Sequence, residues 1–230
     1  SLGVNMRLYP FNNVCEKRLL FTPQYFDARE RALLAERIRP GFVFIDIGAN
    51  VGGYALFVAG LAGPEARILA IEPQPEIHRR LCYNIAQNDL PGVCALPIAI
   101  ADRDGDIEFF LSADNQGQAS VKDTPGEYAT RQLRVPARTL LGVLRDQGLS
   151  HVDAVKIDVE GAEDMVFEPF FRDAPESLWP GLIIIENSPK RWRIDLLGLI
   201  ERSGHTRLEV TRMNIVYTRA TPPGPAPTAR

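Results

Sequence analysis

The chain has 230 residues, 45% hydrophobic and 24% charged, with a formal net charge of −3. This length suits one large domain with a sizeable core, and the mild acidity argues against general affinity for nucleic acid or an anionic membrane. Cys15, Cys82 and Cys94 form no CxxC pair, which points to reduced thiols in a cytoplasmic protein rather than a disulfide framework or a zinc site.

The opening Ser1-Leu-Gly-Val lacks the order of a signal peptide, charged residues and then an apolar block. Met6 is a candidate native start, and no apolar run approaches the roughly 20 residues that span a bilayer. Residues 1–40 read as an extension with one helix over 27–38, stopped by Pro40-Gly41. Residues 41–220 read as one domain of alternating strands and helices. Its first strand, 42–47, is a continuous β-branched and aromatic run, as in a strand buried on both faces. A glycine-bearing loop follows, then a helix over 54–61, a strand over 67–71 and a helix over 75–88 with Pro75 in its first turn. The pattern next predicts a strand over 93–100, an antiparallel insertion pairing 107–111 with 132–136, and a helix over 139–147 capped by Thr139. Strands over 152–158 and 182–186 are each followed by helix, the first from Ala162 to Pro169 and the second over 190–202. Segments 205–210 and 215–218 form a closing hairpin, and the Pro-rich 221–230 is a disordered tail. The expected fold is α/β: a doubly wound, Rossmann-like, mostly parallel seven-stranded sheet with a C-terminal antiparallel hairpin.

In such sheets ligands bind beyond the carboxyl ends of the strands, beside the first one. The residues there are Asp46 and Gly48 to Gly52, Glu72, Ala99 to Asp102, Asp158 and Glu160, and Glu186. Gly48 permits a positive φ and close ligand approach, and Gly52 permits tight packing. Asn50 stands where GxGxxG needs its second glycine. A pyrophosphate needs bare N–H groups and tolerates acid poorly, so Asp46 suits a cationic sulfonium better. Glu72 can accept hydrogen bonds from two ribose hydroxyls, a role common to NAD and S-adenosylmethionine. Lys156 and Asp158 alternate with apolar neighbours on one strand face. Glu160 and Glu163 suit a helix N-terminus.

The segments FIDIGANVGGYALF, ILAIEP, AIAD and VKIDVEGAE, in this order, resemble the FkbM family within the class I S-adenosylmethionine-dependent methyltransferases, over about residues 42–186. The resemblance implies O-methylation of a hydroxyl on a sugar, polyketide or other secondary metabolite, with no metal. By position, Asp46, Gly48, Ala49, Asn50 and Gly52 would hold the methionine end, Glu72 with Pro73 the ribose, and Ala99 the adenine, with Asp158 at the transfer site. Glu160 and Glu186 are the candidate general bases, and hydrogen bonding to backbone or cofactor is the alternative for each. His78 falls inside a helix, and His151 and His205 lie at the amino ends of their strands, away from the crevice. Tyr25, Phe26, Trp179 and Trp192 are candidates to line an aromatic acceptor pocket, with most expected in the core instead. The implied partner is a small hydroxylated acceptor, with neither nucleic acid nor membrane; residues 112–131 match nothing. An NAD-linked oxidoreductase and a non-catalytic binding module of the same fold stand as alternatives.

Overall fold

The computed structural model describes residues 2–111, 119–120 and 131–220. Two helices come first, α1 (Val14–Phe21) and α2 (Ala28–Ala35). The βα units follow as β1 (Val43–Ile47), α3 (Gly53–Ala62), β2 (Arg67–Ile71), α4 (Pro75–Ala86) and β3 (Val93–Leu96). Next come β4 (Ala99–Ile100), β5 (Gly105–Leu111), β6 (Ala119–Ser120) and β7 (Arg131–Arg138), then α5 (Leu140–Asp146), β8 (Ala154–Ile157) and α6 (Glu163–Asp173). The chain closes with β9 (Leu182–Glu186), α7 (Leu196–Arg202), β10 (Thr206–Val210) and β11 (Asn214–Thr218).

The main sheet has the order β10-β11-β9-β8-β1-β2-β3. Its pairs β1–β2, β1–β8, β2–β3 and β8–β9 are parallel, whereas β11 runs against both β9 and β10. The expected closing hairpin is therefore present, and strand order reverses at β1, where a crevice must open. Side chains alternate across the sheet as strand geometry requires. Val43, Ile45, Ile47, Val155, Ile157, Ile183 and Ile185 pack with α5, α6 and α7. Phe44, Ile68, Ala70, Ala154 and Ile184 pack with α2, α3 and α4 on the other face. Among the described residues no helix is long and apolar enough to cross a membrane.

The insertion pairs as expected, Ile107 opposite Val135 and Leu111 opposite Arg131. Thr139 caps α5, its hydroxyl accepting from Gly142 N at 3.1 Å. Several boundaries move, and α1 has no counterpart among the expected elements. The strand expected over 93–100 breaks at Pro97, which has no N–H for the ladder. Its second half, β4, joins a separate sheet of order β4-β7-β5-β6. The helix expected to stop at Pro169 continues to Asp173. Phe170 and Phe171 lie beyond the proline, are buried and pack on Phe167, so tertiary contact overrides the missing hydrogen bond. The helix expected over 190–202 begins only at Leu196, where Asp195 caps it by accepting from Gly198 N. The helix expected over 27–38 shortens to α2. The Pro-rich tail and most of 112–131 lie outside the described residues.

Candidate functional site

A cavity of about 440 Å³ opens at the carboxyl ends of β1, β2, β8 and β9, walled on one side by α1 and the residues leading into α2. Asp46, Gly48, Ala49, Asn50, Glu72, Pro73, Ala99, Asp158, Glu160 and Glu186 all line it. Gly52 does not line it; a Cβ there would meet Leu81 Cδ1 of α4 at 2.9 Å. Its role is to let the turn sit against α4.

The turn after β1 is closed on itself. Gly48 has φ +78°, and a Cβ at this position would stand 2.0 Å from Asp158 O, so β1 and β8 approach more closely than any side chain allows. Asn50 takes φ +50°, a left-handed conformation that asparagine tolerates. The N–H groups of Gly48 and Ala49 both donate to Ile71 O at 3.0 Å. Asn50 N donates to Glu72 Oε2, Val51 N to Asn50 Oδ1, and Gly52 N to Ala49 O. Each N–H from 48 to 52 is thus satisfied within the protein.

Two buried carboxylates flank this turn. Asp46 Oδ2 accepts from Ala55 N at 3.0 Å. It thereby satisfies one of the unpaired N–H groups of the first turn of α3, whose own N-cap, Gly52, offers no side chain. Burial pushes its carboxyl up to about 7 against the pull of Lys156, its register neighbour on β8. Glu72 accepts from Gln74 N at 2.9 Å and Asn50 N at 3.0 Å, one bond per oxygen, and burial likewise pushes it up to about 7. Each Glu72 oxygen retains a second lone pair for a ligand hydroxyl. Ile98, Ala99 and Ile100 supply an apolar wall beside it.

Beyond β8 the charges come in pairs. Lys156 Nζ lies 3.3 Å from Asp158 Oδ2, as the alternation along that strand suggested. Glu160 sits at φ +55°, with Arg191 Nη1 donating to both its carbonyl and its Oε2 at 3.3 Å. Glu163 is fully buried; its Oε1 accepts from Val159 N and Gly161 N, and its Oε2 from Trp192 Nε1. Carboxylate oxygens of Asp158, Glu163 and Glu186 approach within 4.8 Å, but both oxygens of Glu163 are engaged in holding the β8–α6 loop. Burial, Asp158 and Glu163 push Glu186 up to about 7. Its Oε2 has no hydrogen-bond partner among the described residues.

Other contributors were not read from the sequence: Asn13, Cys15 and Arg18 of the α1 region, Asp27, Tyr54, Gln74, Arg191 and Met213. Asn13 is the most telling. It caps α1 and donates through Nδ2 to Asn50 Oδ1 at 2.8 Å, tying the N-terminal wall to the β1 turn. An Asn just before a helical stretch was the available signal, but VCEKRLLF is too short and mixed for clear periodicity. Of the four aromatics considered, Phe26 alone lines the cavity; Tyr25 is exposed, and Trp179 and Trp192 pack on the core. None of the three histidines reaches the cavity. His205 is buried between Ser203 Oγ and Pro180 O.

Residues 46–217 match the family described as the methyltransferase FkbM domain. Methyltransferase sdnD of Sordaria araneosa is 32% identical, over 73% of this chain and 74% of its own length. The AMB antimetabolite synthetase AmbE of Pseudomonas aeruginosa is 28% identical over 54% of this chain, a match that spans 7% of that synthetase. Among solved structures, the METTL16 MTase domain superposes with a TM-score of 0.54 at 13% identity, covering 96% of this chain and 75% of that one.

Proposed function

The chain belongs to the FkbM methyltransferase family, whose methyl donor is S-adenosylmethionine, and from that premise we propose that it methylates a hydroxyl oxygen of a small molecule. One observation carries the choice of cofactor from within the site. The β1 turn has spent its N–H groups on Ile71, Glu72, Asn50 and Ala49, and two carboxylates stand beside it. A pyrophosphate needs the opposite arrangement, bare donors and no acid. A ligand that carries a sulfonium and an ammonium but no phosphate meets both conditions.

In this reading Asp46, Gly48, Ala49 and Asn50 border the methionine end. Glu72, with Pro73 beside it, takes the ribose hydroxyls, Ala99 lies against the adenine, and Asp158 borders the transfer site. The cofactor brings an electrophilic methyl carbon; the protein holds the acceptor in line with it and excludes water. The cavity, about 440 Å³, falls in the range of small-molecule and cofactor sites.

Calorimetry on the purified protein tests the donor. S-adenosylhomocysteine should bind with a dissociation constant on the order of micromolar, and NADH should give no heat. Binding of NADH alone would replace this reading with the oxidoreductase. Turnover is tested by release of S-adenosylhomocysteine in the presence of a library of hydroxylated metabolites. Cofactor binding without turnover across a broad library would favour the non-catalytic module.

A further inference from the structure

The cavity has two ends of different electrostatic character. The cofactor-facing end, under β1 and β2, holds Asp46 and Glu72. The other end lies beyond β8 and β9 and faces the N-terminal wall. There each cation already answers an acid: Lys156 lies 3.3 Å from Asp158, Arg191 3.3 Å from Glu160, and Arg18 2.8 Å from Asp27. Glu186 is the acid left over. It forms no ion pair among the described residues, and its Oε2 is buried without a hydrogen-bond partner.

We propose that this end receives an alcohol carrying no acid group, neutral or amine-bearing, and that Glu186 Oε2 accepts the proton of the hydroxyl being methylated. The proposal rests on the methyl-transfer reading above. An orphaned buried acceptor is costly until a donor reaches it, and an acceptor hydroxyl is such a donor. A carboxylate or phosphate on the acceptor would face an unmatched glutamate, with each nearby cation already committed. Glu160 is less suited to proton transfer, because Arg191 grips both its carboxylate and its carbonyl. Glu186 is faced by Asp158 and Glu163 as acids, by Lys156 as a cation and by Ser188 as a hydrogen-bond neighbour. Burial and the two acids leave its carboxyl near neutrality, suited to taking a proton and returning it to water. The step balances: as the acceptor oxygen bonds the methyl carbon, the carbon–sulfur electrons return to sulfur and the hydroxyl proton passes to Glu186 Oε2.

The test compares wild type, Glu186→Gln and, as a control on an exposed face of α6, Glu168→Gln. Binding of S-adenosylhomocysteine is measured on all three. Glutamate side-chain carbons are titrated by NMR in the cofactor-free protein, with Glu186→Gln assigning the signal. Turnover is measured with S-adenosylmethionine on two pools, one of neutral and amino alcohols and one of hydroxy acids. Glu186→Gln should bind S-adenosylhomocysteine nearly as wild type does and lose about 100-fold or more in kcat, while Glu168→Gln keeps wild-type rates. The Glu186 signal should titrate near pH 7, well above ordinary glutamates, and the first pool should be the one methylated. An ordinary Glu186 titration, near wild-type turnover by Glu186→Gln, or preference for hydroxy acids would overturn the proposal. Failure of wild type to bind S-adenosylhomocysteine would instead remove the donor reading beneath it.

Discussion

Gly48 and Glu72 show how much of the site depends on single side chains, or on the lack of one. Gly48 combines a positive φ with a backbone oxygen where a Cβ would be. Gly48→Ala should therefore cost about 3 kcal/mol or more, from strain and steric overlap together, read as a lower urea midpoint. Glu72 serves the fold through its two backbone bonds and, in the proposed reading, the ligand as well. Glu72→Gln replaces one acceptor oxygen by an NH2 group that cannot accept from both Asn50 and Gln74. The expected outcome is a loss of about tenfold or more in S-adenosylhomocysteine affinity, roughly 1.4 kcal/mol, measured by calorimetry. Asp46, Gly48, Glu72 and Asp158 were legible in the sequence because each closes a strongly patterned strand, and the open-sheet rule says where such ends converge. The capping of α3 by Asp46 was not legible. It depends on Gly52 occupying the N-cap, and the helix boundary that fixes this cannot be read to one residue.

Among the elements, α1 is the one that sequence patterning missed and the cavity needs. It is anchored by Glu16, which is fully buried yet charged in type. Glu16 accepts from Tyr9 N at 3.0 Å and from Arg80 Nη1 of α4 at 2.6 Å, and the Arg80 guanidinium lies over the Tyr9 ring. Asn84, one turn further along α4, donates to Val51 O and accepts from Arg7 N. The N-terminal segment is thus strapped to the same helix that supports the turn after β1. Removing one member of a buried pair leaves an uncompensated charge. Arg80→Ala should cost about 3–5 kcal/mol and loosen α1, seen as faster amide exchange over residues 9–21. Long, uniformly apolar strands such as β1 and β9 were readable from local pattern alone. Pro97 and Pro169 show the limit of that method. One broke a strand and the other failed to break a helix, and the difference lay in the aromatic packing beyond Pro169, a long-range contact.

For the molecule as a whole, the raised carboxyls set a pH dependence whose sign follows from linkage. Asp46, Glu72 and Glu186 hold protons up to about pH 7 when folded, against ordinary carboxylate values when unfolded. Between roughly pH 4 and 7 the folded state binds more protons, so stability is greatest at the acidic end of that window and falls as pH rises through it. The Tm of cofactor-free protein should drop from pH 5 to pH 8. Binding a sulfonium cation favours the ionised acids, so the rise in Tm caused by S-adenosylmethionine should be larger at pH 8 than at pH 5. Thermal melts across that range, with and without the ligand, check both trends.

The self-satisfied turn at 48–52 also bears on how relatives diverge. Its geometry is settled during folding, so under the proposed reading capture of the donor need not spend free energy on ordering this segment. In the same reading the acceptor end is assembled instead from the loops after β8 and β9 and from the strap of α1. Selection could remodel those pieces for a new alcohol and leave the donor-binding half untouched, an arrangement that separates the evolution of substrate choice from the upkeep of the chemistry.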